Sequence, residues 1–235
     1  MKKLLSSLTP FEIALWIFSV TAVVLSTVLS SEPDYFSMAA SLFGVSSLIY
    51  IAKGMPIGQM LMLVFASFYA VISFEKAYYG EMFTYLGMTL PMAVISIISW
   101  MRHPYDESGE VKVNRLSPKG FLGVFLITAA VTVAFYFILG ALNTANLLVS
   151  TFSVATSFFS VLLTYLRSPW YAIGFVFNDI VIITLWVLAA LEDPGAWSVV
   201  VCFGVFFIND LYGFINWRRM DTRQRAAIEE ALDDD

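Results

Sequence analysis

From Tyr171 to Gly195 the chain reads YAIGFVFNDIVIITLWVLAALEDPG. Up to Leu191 only Asn178, Asp179 and Thr184 interrupt the apolar run. At 1.5 Å rise per residue, such a run as a helix crosses a hydrocarbon layer about 30 Å thick. Glu192-Asp193-Pro194-Gly195 then stops it with charge and turn chemistry. Asn178 and Asp179 fall near the middle of the run, where lipid tolerates amides and carboxylates least. A polar pair kept at that depth marks a site that handles a polar solute.

Working outward, the same reading applies along the whole chain. Windows of about 17 to 23 apolar residues can be drawn at 11–30, 36–52, 57–75, 81–100, 119–140, 146–166, 169–191 and 196–217. They lack the period-two alternation of barrel strands, so the fold class is an all-α integral membrane protein with eight transmembrane helices. Composition agrees: of 235 residues 59% are hydrophobic and 13% charged, and the mean hydropathy is +0.79, far from a soluble domain. The net charge of −5 arises from dispersed acids and the Asp233 to Asp235 tail, with no basic patch for nucleic acid. Cys202 and His103 are each alone, which excludes an intrachain disulfide and gives no metal cluster. No cofactor is expected. Lys2-Lys3 before an apolar run resembles a secretory leader, but the run ends in Ser30-Ser31-Glu32-Pro33 without a small-x-small cleavage pattern, so it reads as a membrane helix.

The basic residues orient the bundle. With the N-terminus cytoplasmic, eight crossings put Lys2, Lys3, Lys53, Arg102, Lys112, Arg115, Lys119, Arg167, Arg218, Arg219, Arg223 and Arg225 inside, leaving only Lys76 of the 13 Lys plus Arg outside. This bias is the positive-inside rule, and both termini are expected in the cytoplasm.

Sliding the chain over itself by 117 positions brings Tyr69 onto Trp186, Glu75 onto Glu192, Gly87 onto Gly204, Trp100 onto Trp217 and Arg102 onto Arg219. Interfacial anchoring alone would explain a Trp-x-Arg at two helix ends. A frame held over roughly 38 positions points instead to an internal repeat. The expected organisation is an additional N-terminal transmembrane helix (1–34), a first three-helix repeat (35–102), a cytoplasmic loop and linker helix (103–143), a second three-helix repeat (144–219) and a cytoplasmic tail (220–235). The two repeats are parallel, because the linker helix intervenes. Such repeats place substrates near mid-membrane between them.

The polar constellation is weighted to the second repeat. Asn209 and Asp210 lie halfway along the last helix, as Asn178 and Asp179 do on the one before. At about 100° per residue, Asp179 and Trp186 are about 20° apart and share a face. Asn209, Tyr212 and Asn216 form a second stripe, with Asp210 and Trp217 beside it. Gln59 is the notable intramembrane polar group of the first repeat. Each residue also has a structural reading: amides bond helices together, Tyr packs and Trp anchors at the interface. Taken together they suggest one cavity, and two carboxylates without Lys or Arg in their segments ask for a proton, an amide partner or a cationic solute. Aromatic faces attract a desolvated cation and amides read polar edges, so an aromatic cation with hydroxyl groups fits. There is no Walker A loop, no His/Glu metal pair and no Ser-His or Ser-Lys arrangement for an enzyme, and the loop and tail are short for a sensor's output domain.

Ser168-Pro169-Trp170-Tyr171, the run Asn178 to Trp186, and Asn209-Asp210-Leu211-Tyr212-Gly213-Phe214-Ile215-Asn216-Trp217-Arg218-Arg219 resemble the last two helices of the PnuC vitamin transporters. The resemblance implies a three-plus-one-plus-three fold like that of SWEET sugar transporters. It implies association into a homo-oligomer, a trimer being one form, and residence in the bacterial inner membrane. It also implies import of nicotinamide riboside by facilitated diffusion, followed by phosphorylation by a cytosolic riboside kinase that need not touch the transporter. Asn178 stands at the family's helix-centre Asn, and Asn216 where Gln is frequent; Gly174 departs from the aromatic that often precedes that Asn. Relatives carry thiamine or riboflavin, and a proton-coupled carrier using Asp179 or Asp210 stays open. The expected substrate-binding residues are Gln59, Asn178, Asp179, Trp186, Asn209, Asp210, Tyr212, Asn216 and Trp217.

Overall fold

The computed structural model describes residues 7–30, 33–75, 78–105, 109–144 and 146–233. The sequence assignments resting on Lys2, Lys3, Ser31, Glu32, Lys76, Ala145, Asp234 and Asp235 lie outside the described residues. Eight long helices make up the described chain: α1 (Pro10–Val28), α2 (Tyr35–Ala52), α3 (Pro56–Glu75), α4 (Tyr79–Arg102), α5 (Pro118–Ala141), α6 (Leu147–Tyr165), α7 (Tyr171–Glu192) and α8 (Trp197–Asp233). All eight are long and apolar enough to cross a membrane.

Local chemistry sets their ends. Thr9 and Glu12 form a capping box before α1, with Pro10 at the first helical position. Asp34 caps α2 by accepting from the Phe36 and Ser37 amides at 3.0 Å. Ser117 does the same for α5. α4 contains one π turn at Tyr85–Thr89. Pro91 lacks an N–H and would crowd the carbonyl four residues back, which the wider turn relieves. The last helix continues past its membrane span into the tail: α8 runs on to Asp233, about 55 Å in all, because nothing between Trp217 and Glu230 breaks a helix.

Six helices close into a ring. α2 packs on α3, α3 on α4, α4 on α6, α6 on α7, α7 on α8, and α8 back on α2. α1 sits outside the ring against both α2 and α8, and α5 lies against α6. The outer face of α5 presents Leu122, Phe125, Leu126 and Phe137, as a lipid-facing helix does.

Residues 117 apart in sequence meet in space. Trp186 Nε1 donates to the Tyr69 hydroxyl, and Trp100 and Trp217 pack with ring centroids 5.4 Å apart. The Trp100 indole donates to the Thr164 carbonyl at the end of α6 (3.0 Å) and that of Trp217 to the Ile51 carbonyl at the end of α2 (2.9 Å). After those same two helices stand Gly54 (φ 67°) and Arg167 (φ 57°), both left-handed. Their carbonyls accept from the backbone N–H of Val111 and Asn114, each at 3.0 Å. The loop between α4 and α5 thus ties both halves of the ring at one end. It is strapped in turn to α8, where Arg115 Nε donates to Asp221 at 2.8 Å and Gln224 accepts from the Val113 amide at 2.8 Å. The bond to Asp221 raises the Arg115 pKa above the ordinary arginine value.

Candidate functional site

Inside the ring lies a cavity to which every ring helix contributes and α1 and α5 do not. Leu48 and Ile51 come from α2, Gln59, Met62 and Phe65 from α3, Tyr85, Thr89 and Ser96 from α4, and Ser157, Val161 and Thr164 from α6. α7 supplies Tyr171, Phe175, Asn178 and Asp179, and α8 supplies Phe203, Phe206 and Asp210. Its volume, measured over water centres, is about 50 Å³, room for a few waters.

The polar groups cluster on one wall. Asn178 Oδ1 accepts from Thr156 Oγ1 and Ser157 Oγ, both at 2.8 Å, which fixes the amide so that its N–H₂ end remains to serve as donor. Asp179 and Asp210, 2% and 4% exposed, stand beside each other on neighbouring helices. Two adjacent carboxylates repel unless a proton or a cation comes between them. Among the described residues Asp179 Oδ2 has no partner, and no Lys or Arg lines the cavity. A buried carboxylate with neither cation nor full hydrogen bonding is costly, so the wall is built to receive a positive charge, proton or ligand. Gln59, 4% exposed, adds an amide from α3.

The other walls are aromatic. Phe65 meets Tyr85 edge-on at 5.9 Å and Phe206 at 5.2 Å, and Phe203 meets Phe206 at 5.3 Å. Tyr85 and Thr89 bound the π turn of α4. An extra residue in that turn re-aims the side chains after it, as such turns do at functional sites.

Of the nine residues expected from sequence, the ring brings Gln59, Asn178, Asp179 and Asp210 to the cavity and carries the other five elsewhere. Asn209 donates to Ser19 Oγ on α1 at 2.9 Å and to the Val205 carbonyl at 2.8 Å. Tyr212 donates to Glu12 at 2.8 Å, and Asn216 donates to the Ala52 carbonyl at 2.8 Å. The stripe Asn209-Tyr212-Asn216 therefore faces α1 and the end of α2. The reason is angular: Asp210 is about 100° from Asn209 around α8, and only one face of a ring helix looks inward. Trp186 is fully buried among Tyr69 and Tyr78. Trp217 is fully buried between Trp100 and Tyr171. Sequence reasoning missed the aromatic lining and the serine and threonine partners of Asn178. It also missed two buried acids, Glu12 and Glu81, which stand in the first turns of their helices and not at helix centres.

A family model described as nicotinamide mononucleotide transporter matches residues 34–219. A nicotinamide riboside transporter PnuC of Neisseria mucosa is 24% identical over 229 residues, covering 94% of this chain and 86% of that protein. Another of the same name from Haemophilus influenzae is 21% identical over 224 residues, covering 94% of this chain and 96% of it. The crystal structure of the vitamin B3 transporter PnuC superposes with a TM-score of 0.82 at 23% identity, covering 92% of this chain and 94% of that one, so the two share a fold.

Proposed function

The chain belongs to the nicotinamide mononucleotide transporter family, and from that premise we propose that it imports nicotinamide riboside by facilitated diffusion, with uptake made net by cytosolic phosphorylation. It is a multi-pass membrane protein of a transporter family and not an enzyme. The observation that carries the substrate reading is the Asp179–Asp210 wall, without a counter-cation and faced by aromatic rings. Nicotinamide riboside is a pyridinium cation bearing a carboxamide and a ribose. Asn178 and Gln59 suit its polar edges, Asp179 or Asp210 its charge, and Tyr85, Phe65 or Phe175 its ring. Trp186, Tyr212 and Trp217 stand outside this lining, packed against neighbouring helices. The mononucleotide of the family's description adds a phosphate, and two acids without Lys or Arg would repel it.

In this reading both termini face the cytoplasm of a bacterial inner membrane, copies associate as a homo-oligomer, a trimer being one form, and the ring comprises two parallel three-helix repeats of SWEET-like type joined by α5. The ring's pairing of α2–α4 with α6–α8, and the contacts between residues 117 apart, support that arrangement. Asn178, Asp179 and Asp210 in the cavity wall are at most 4% exposed, so the walls must part during each cycle to admit and release a riboside.

The test is radiolabelled nicotinamide riboside in proteoliposomes free of ATP and ion gradients. The label should equilibrate and go no further, and unlabelled mononucleotide, thiamine and riboflavin should compete weakly. Accumulation above the outside concentration would sink diffusion. Accumulation only under a pH gradient would favour the second reading, a proton-coupled carrier, which the carboxyl pair of Asp179 and Asp210 supports.

A further inference from the structure

Two stripes that line the cavity continue one helical turn beyond it at the same end. On α4 the cavity-facing residues are Tyr85, Thr89, Met92 and Ser96, and four residues before Tyr85 stands Glu81. On α6 they are Ser157, Val161 and Thr164, and four residues before Ser157 stands Ser153. Residues four apart share a helix face, so both side chains stand one turn beyond the cavity lining on the same stripes. They meet there: Ser153 Oγ donates to Glu81 Oε1 at 2.7 Å. Both are 0% exposed. The other carboxyl oxygen, Glu81 Oε2, has no hydrogen-bond partner, and neither has Thr84 Oγ1 one turn along the same helix. Among the described residues no Lys or Arg forms an ion pair with Glu81. This is the end of the bundle where α2 and α4 begin and α3 and α7 finish, the end that the proposed orientation puts outside.

A half-satisfied carboxyl group buried one turn beyond a transport cavity is an expensive device unless something positive meets it. Tyr85, one turn along α4 from Glu81, lines the same cavity as Asp179 and Asp210. A cation moving from the outer end would meet a carboxylate, then an aromatic face, then the acidic pair. We propose that Glu81 is the outer station of the translocation path: as α4 and α6 part, its carboxylate leaves Ser153, takes the positive ring of the substrate and passes it across Tyr85 to Asp179 and Asp210. The inference rests on the reading of the solute as a cationic riboside.

Three substitutions separate charge from sealing. Glu81→Gln keeps the size and the bond to Ser153 but removes the charge. Glu81→Asp keeps the charge but shortens the reach to Ser153, and Ser153→Ala removes that partner altogether. With nicotinamide riboside as the probe in proteoliposomes, uptake by Glu81→Gln should fall at least tenfold. Glu81→Asp and Ser153→Ala should stay within threefold of the unaltered protein. Calorimetric affinity of solubilised Glu81→Gln for the riboside should also stay within threefold, since the central wall is untouched. The reverse pattern, with Glu81→Gln normal and the other two impaired, would make the contact a structural seal and overturn the proposal. Equal losses in Glu81→Gln and Glu81→Asp, loss of equilibrium binding in Glu81→Gln, or three unaffected variants would overturn it as well. Absence of uptake by the unaltered protein is a different failure, because it removes the substrate reading itself.

Discussion

At the scale of single residues, the difference between a site amide and a structural amide is where its hydrogens go. Asn178 is held through its oxygen by Thr156 and Ser157 and has N–H₂ to offer the cavity. Asn216 spends its N–H₂ on the Ala52 carbonyl. Asn178→Ala should therefore weaken nicotinamide riboside binding by roughly 5-fold to 150-fold, the equivalent of about 1 to 3 kcal/mol for one lost buried polar contact. Asn216→Ala should leave affinity within about threefold and lower thermal stability instead. Calorimetric titration beside a melting curve for each variant checks both, and equal affinity losses would return Asn216 to the binding set. Asp210→Asn keeps a polar side chain beside Asp179 but removes the negative charge that the pair can develop. It should cost at least tenfold in affinity for the cation and flatten any dependence of uptake on a pH gradient, read in proteoliposomes buffered differently on each side. The helix-centre acids and amides were legible in sequence because bilayer depth follows from position along an apolar run. Which face each occupies was not, since Asn209 and Asp210 are neighbours in sequence yet look toward α1 and the cavity respectively.

For helices, legibility followed length and hydropathy. All eight spans could be drawn from apolar runs, and their starts at Pro10, Tyr35 and Pro118 sit on caps that Thr9, Asp34 and Ser117 announce. The π turn of α4 was not visible, because Pro91 permits a kink, a break or a widened turn equally, and packing decides among them. That the tail continues α8 as a helix was not visible, since loss of hydrophobicity ends a membrane span without ending a helix. Close helix packing also escaped the sequence. A Cβ on Gly58 would lie 2.5 Å from the Ile51 amide nitrogen and 2.8 Å from the Ser47 carbonyl oxygen, so α2 and α3 touch backbone to backbone there. Gly58→Ala should destabilise by about 1–3 kcal/mol through forced separation. Gly204, whose Cβ would meet nothing within 4 Å, should accept Ala with no loss or a gain of about 0.5–1 kcal/mol. Melting temperatures in detergent that drop equally for the two would contradict this account of the contact.

At the scale of the whole molecule, the proposed orientation rests on its charges. Cysteines introduced one at a time in a Cys202→Ala background should react with a membrane-impermeant reagent in intact cells at position 193 and not at 112 or 225. Labelling at 112 alone would invert the assignment. The ring also has two seams between its halves, and they are not equivalent. At the seam of α2 with α8, α1 packs on both helices, and its Glu12 binds Lys53 at 3.0 Å and Tyr212 at 2.8 Å. At the seam of α4 with α6 the outer helix α5 packs mainly on α6 and reaches α4 near Gly80 through Leu139. That seam is held by Glu81–Ser153 at one end and by Trp100–Thr164 and Ser99–Tyr165 at the other. With α1 clasping the opposite seam, the shell is expected to open like a clam, α1 its hinge pin and the α4–α6 edge its lips. A covalent cross-link across the lips should stop uptake of the riboside in proteoliposomes, whereas one tying α1 to α8 should leave it running.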